Sequence, residues 1–192
     1  MEQELRTLHP PHDHRFDDDF FFALCQANET TRMERDANGN IIFMPPTGSD
    51  TGRYNLELAT ELGIWNRRKK LGIAFDFSTG FTLPNSAVRS PDVSWIINER
   101  WDALTEKERQ GFAPICPDFI IEVRSKSDDL KELRTKMEEY RDNGVRLGWL
   151  VDRAGQQVFI YRENGSIEIR QGNPVTLSGE DVLPDFSITL PL

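Results

Sequence analysis

Two acids lie inside stretches that otherwise read as buried strand. Asp92 follows Pro91 in "SPDVSWII" (90–97), and Glu122 closes the apolar run of "PDFIIEV" (117–123). A carboxylate buried without a partner is costly, so each acid needs one. A divalent cation shared by both is one solution, and hard oxygen ligands suit magnesium. Pairing with arginine is the other, and Arg89 and Arg124 are near enough in sequence to serve. Residue type and spacing leave both open.

The elements that must position these acids are legible as patterns. Asp17, Asp18 and Asp19 favour the start of a short helix through "FFFALCQAN". "TRMERDANGNIIFMPP" reads as a hairpin around Asn38-Gly39. Leu56, Ala59, Leu62, Ile64 and Trp65 are spaced for a helix over about 51–70, with Gly72 as its stop. Two short strands are expected in "IAFDFSTGFTLP", then the strand with Asp92. Thr105 and Glu108 have capping-box spacing. After the strand with Glu122, Ser127, Asp128 and Asp129 open a helix that ends near Asn143-Gly144. Its apolar stripe is Leu130, Leu133, Met137 and Tyr140. "RLGWLVD" is a further buried strand, so 118–152 implies a right-handed crossover between parallel strands. "QQVFIYRENGSIEIR" is a hairpin on Asn164-Gly165, and the tail "LSGEDVLPDFSITLPL" looks irregular. The expected class is one α/β or α+β domain over 16–192, preceded by a flexible arm over 1–15.

Composition bounds the chemistry. The chain has 192 residues and a formal charge of −9. Nonspecific coating of nucleic acid usually needs a basic protein, so any nucleic-acid role must be local. The three histidines, His9, His12 and His14, all lie in the arm, which disfavours Ser-His-Asp catalysis and multi-histidine metal sites. Cys25 and Cys116 are two separated thiols, which fits a reducing compartment. No run of about 18 apolar residues is present, and the acidic start lacks a signal core; a cytoplasmic protein is expected.

"RSPDVSWI", the twenty-nine residues between Asp92 and Glu122, and "PDFIIEVRSKS" followed by a lysine, a tyrosine and "GVRLGWLVD" form an ordered set. This set resembles the Uma-two family, formerly a domain of unknown function, within the PD-(D/E)xK nuclease superfamily. The likeness runs from about "MERDANG" to "EDVLPDF". It implies a restriction-endonuclease-like central mixed β-sheet flanked by α-helices, with β-hairpins toward both ends. It implies Asp92 and Glu122 as ligands of Mg2+ or Mn2+, the backbone carbonyl of Val123 as a third, and DNA cleaved to 5′-phosphate and 3′-hydroxyl ends. The superfamily usually carries lysine two residues after the glutamate; here that residue is Arg124, which stays protonated and is a poor base. The Uma-two pattern moves the lysine to the next helix, where Lys136 matches. Helical spacing alone does not choose between Lys136 and Arg134.

Other candidates are weaker. Glu57 and Asn55 lie on the 51–70 helix, where superfamily members place an extra polar or acidic group, and Glu34 lies in the first hairpin. Ser125 suits a cap, Asp152 a turn, and Trp95 and Trp149 the core. Arg67–Lys70 complement a helix C-terminus, and Phe20 to Phe22 offer a docking face. The rival to an endonuclease is a catalytically silent binding module on the same fold, which the acidic charge and Arg124 favour. RNA is a third option, and a homodimer would suit duplex cleavage.

Overall fold

A computed structural model describes residues 7–11 and 16–192. Of the arm, β1 (Thr7–Leu8) pairs with the hairpin strand described next, and the His9 ring bonds Asn40 at 2.8 Å. His12 and His14 lie outside the described residues. α1 (Asp18–Ala27) is capped by Asp17, whose carboxylate accepts the Phe20 N–H. β2 (Arg32–Arg35) and β3 (Ile41–Met44) form the expected hairpin, with Gly39 at φ 87°. Period-2 alternation puts Met33 under α1 and sends Glu34 to the opposite face.

α2 (Ser49–Lys69) buries Tyr54, Asn55, Leu58, Leu62 and Trp65. Leu56, expected on that stripe, is 67 % exposed. The helix ends at Lys70, which itself takes the left-handed conformation at φ 56° and returns its N–H to Asn66. Gly72 is therefore not the helix stop. It opens β4 (Gly72–Asp76), where its missing side chain lets the strand lie against the Trp95 ring and the Ile96 carbonyl. β5 (Phe81–Thr82) and β6 (Val88–Arg89) follow, then β7 (Val93–Ile97), α3 (Asn98–Asp102) and α4 (Glu106–Gln110); the Thr105–Glu108 capping box is formed.

β8 (Phe119–Val123), α5 (Leu130–Asp142) and β9 (Leu147–Asp152) make the crossover, with β8 and β9 parallel. Asp129 caps α5 by accepting the N–H groups of Lys131 and Glu132. β10 (Gln157–Arg162) and β11 (Ile167–Gln171) form the hairpin on Gly165. The tail is not irregular: β12 (Val175–Ser178) and β13 (Ser187–Leu190) pair. Val175, Leu177, Leu183, Phe186 and Leu190 close the core below Trp65 and Trp149. Apolar residues of the tail would be left in water otherwise.

Two larger sheets result. The main one runs β11-β10-β9-β8-β7-β4 and is mixed; the smaller runs β1-β3-β2-β6-β5. α2 and the C-terminal hairpin cover one face of the main sheet, packing on Phe119, Ile121 and Val123. α5 covers the other, through Ile120, Leu150, Met137 and Tyr140. Trp95 and Trp149 are fully buried. Of the phenylalanine triplet, Phe21 is core, while Phe20 is 50 % exposed and stacks on Phe16.

Gly72→Ala should lower the unfolding free energy by about 2 kcal/mol, since overpacking displaces β4 from β7. Urea unfolding measures this; a loss under about 0.5 kcal/mol would show that the strand pair yields freely.

Candidate active site

Strand alternation separates Glu122 from its neighbours. Ile121 and Val123 face α2, so Glu122 faces α5, where it is 6 % exposed. Its Oε1 accepts the Tyr140 hydroxyl at 3.1 Å and pairs with the Lys136 ammonium at 2.9 Å. Lys136 pairs at the same distance with Oε1 of Glu34, from β2. Glu34 also accepts the Ser90 N–H at 2.9 Å, and its Oε2 meets Arg89 at 3.1 Å. Arg89 in turn holds Glu139 at 2.7 Å.

Asp92 stands just before β7, at the strand ends. Its Oδ2 accepts the Val123 N–H at 2.8 Å, and its Oδ1 accepts the Asn55 amide at 2.8 Å. The β7–β8 register pairs Val93 with Ile121. Continued by two residues, it sets Pro91 across from Val123. Proline has no N–H, so the ladder there cannot use the Val123 carbonyl; the Val123 N–H itself goes to Asp92. Asn55 Oδ1 is buried without a hydrogen-bond partner among the described residues.

The choice that spacing left open is made by geometry. The Arg134 guanidinium lies over the Phe159 ring at 5.2 Å, away from Glu122, while Lys136 reaches it. Arg124 does not join the acids either. It turns to the Asp128 carbonyl at 3.1 Å and to Asp152 at 3.2 Å. Asp152 is the expected turn residue, accepting the Gly155 N–H and the Gln157 amide. Glu57 pairs with Arg53 on the solvent side of α2. The Ser125 hydroxyl bonds Ser127, and its N–H is held by Asp128. The second Pro-Asp pair is structural: Asp118 accepts the Ile97 N–H and pairs with Arg100, both at 2.9 Å. No sequence pattern assigns Glu139 or Tyr140 to the site. Tyr140 reads as core from its stripe, and its position four residues after Lys136 is the one signal of its second role.

The matching family model, described as "Putative restriction endonuclease" and termed Uma2, spans residues 18–191. The chain belongs to the Uma2 family. Among solved structures, a putative nuclease of the DUF820 group from Anabaena variabilis ATCC 29413 is similar. It is 20 % identical, with a TM-score of 0.69, over 82 % of this chain and 86 % of that one. That likeness supports the nuclease-like fold. No curated protein matches the chain.

Charge is out of balance in this Uma2 site. Glu34, Asp92, Glu122 and Glu139 face Arg89 and Lys136, with Arg32 and Asp128 also acting on Asp92. Burial, joined by the charges of Asp92 and Glu34, pushes the Glu122 carboxyl up to about 7 despite Lys136. Burial raises Asp92 as well. Burial also opposes ionisation of Glu34, but Lys136, Arg89 and the Ser90 N–H outweigh it and hold that carboxyl low. Burial and Glu122 raise the Tyr140 hydroxyl well above its ordinary value.

No cluster of three or more His, Cys, Asp or Glu among the described residues could hold a metal by itself. A magnesium-class ion does not require one, because it keeps waters and takes one or two carboxylates plus substrate phosphate. Two raised carboxylates, an orphaned amide oxygen and a carbonyl opposite proline are hard oxygen donors in surplus negative charge. The residues fit such an ion.

The raised carboxyl has a sign. In the folded chain Glu122 keeps its proton to about pH 7, whereas its ordinary value is 4.5. The unfolded chain therefore binds fewer protons across that window, and stability falls as pH rises through it. Without divalent cation, urea midpoints should drop between about pH 5 and about pH 8, and Glu122→Gln should flatten the drop. Equal slopes for both proteins would contradict the placement of the charge.

Proposed function

We propose that this Uma2 protein is a metal-dependent endonuclease that hydrolyses phosphodiester bonds of DNA. The observation that carries the reading is the approach of Asp92 and the Lys136 ammonium to Glu122 where β7 begins and β8 ends. Asp92, Glu122 and the Val123 carbonyl would hold Mg2+ or Mn2+. Such an ion, when bound, supplies Lewis acidity and a water of lowered pKa. Asn55 fixes the Asp92 carboxylate through one oxygen and the Val123 N–H fixes the other, so the acid is oriented before any ligand arrives. Lys136 offers positive charge toward the scissile phosphate, where negative charge grows as water oxygen bonds phosphorus and the bond to the 3′ oxygen breaks. The ends are 5′-phosphate and 3′-hydroxyl.

The net charge of −9 does not oppose this locally. Arg32 acts on Asp92. Arg153 and Lys126 act on Asp50, in the first turn of α2, five residues before Asn55. Arg32 beside Asp92, with Lys126 and Arg153 after β8 and β9, would offer positive charge to a phosphate backbone. No helix among the described residues is long and apolar enough to cross a membrane; a cytoplasmic site of action and a homodimer belong to the same proposal.

Supercoiled plasmid should be nicked in the presence of Mg2+ or Mn2+, and Asp92→Ala should lower the rate by about 10²-fold or more. Either ion should also raise the melting temperature of the native chain but not of that variant. Cleavage by neither protein, with both folded, would favour a silent binding module. Faster cleavage of an RNA of equal length would move the substrate.

A further inference from the structure

Lys136 projects from a helix, while the glutamate it serves lies on a strand. A four-carbon stem gives an ammonium many positions from such a base, and the ammonium itself is a point charge without a fixed fork. We propose that Glu34 is the positioning residue of this site, fixing the Lys136 ammonium beside Glu122. The role of the lysine rests on the nuclease reading; its placement by Glu34 does not.

Glu34 is held before it meets the lysine. Its carboxylate takes the Ser90 N–H at 2.9 Å and Arg89 at 3.1 Å, and Arg89 is clamped from its far side by Glu139 at 2.7 Å. Glu139 is fixed in turn by the Asn85 amide at 3.0 Å. Signs alternate along the chain Glu139, Arg89, Glu34, Lys136, Glu122, and successive links come from α5, β6, β2, α5 and β8. A pair needed only to join β2 to β6 would be complete with Arg89 and Ser90. The added bond from Glu34 to Lys136 instead reaches across to α5 and ends at Glu122. It confines the ammonium between two carboxylates 2.9 Å away on each side.

Acylation of lysines by an amine-reactive ester, read by peptide mass spectrometry, reports how tightly the ammonium is held. Lys107, exposed on α4, is the internal standard. Two variants are used. Glu34→Gln keeps the shape and removes the charge; Glu34→Asp keeps the charge and withdraws it by one carbon from both Lys136 and Arg89. In each, Lys136 should be acylated about tenfold faster than in the native chain, with Lys107 unchanged. Nicking by Glu34→Gln should fall roughly 10- to 100-fold in kcat with KM within about twofold. In a Lys136→Met background the same change should cost less than about twofold. Unchanged acylation in both variants would overturn the proposal, as would an equal loss of kcat with and without Lys136. If the native chain nicks nothing, the nuclease reading fails, and the acylation result alone decides the placement.

Discussion

One ammonium ion, that of Lys136, is shared by two buried carboxylates from different sheets, and much of the molecule's arrangement follows from it. Desolvating an ion in isolation costs far more than folding can offset. Lys136 can be buried on α5 only because Glu122 arrives from β8 and Glu34 from β2. Glu34 can be buried only because Arg89 and the Ser90 N–H complete its shell. Removing one member leaves its neighbour charged and unpaired, which is the expensive case. The small sheet, the main sheet and α5 are thus tied by charge at the place where chemistry would occur.

The tie is incomplete by design of its composition. Arg89 and Lys136 pair with Glu34, Glu139 and Glu122, while burial raises the carboxyls of both Glu122 and Asp92. Glu34, fully surrounded, is held low. The carboxyls that burial penalises therefore lie at the strand ends, with Asp92 held by Asn55 and the Val123 backbone. A cation bound there would relieve that penalty, and without one the buried carboxyls cost stability.

The acids were legible because burial and ionisation conflict within a single strand: Asp92 and Glu122 break apolar runs that period-2 alternation would fill. What could not be read was direction. Lys136 and Arg134 flank the same stripe, and only the packing of Arg134 on Phe159 separates them. Arg124 alternates in phase with Glu122, but β8 ends at Val123 and the side chain turns to Asp152. Glu34 lies 102 residues from Lys136, a pairing that no local pattern encodes. Gly72 fits a helix stop by type; the close approach of Trp95 that requires a glycine there is a tertiary fact. The C-terminal hairpin leaves a weak pattern because each of its strands is four residues long and packs from one side only.

The arginine in the usual lysine slot now has a physical account. A lysine on the strand two residues after the glutamate would be positioned by the strand itself. Arg124 instead staples the turn after β8 to the turn after β9, through Asp128 and Asp152. That stiffens the two loops whose ends carry Lys126 and Arg153. Moving the cation to α5 frees the strand end for this task, but a helix lysine arrives with more freedom than a strand lysine. The fold restores the constraint from outside the main sheet, with a carboxylate on β2. Two arrangements of the same charges then differ in one respect that matters: here the Lys136 ammonium depends on a second sheet for its place, so the docking of that sheet and the geometry of the site are one structural condition.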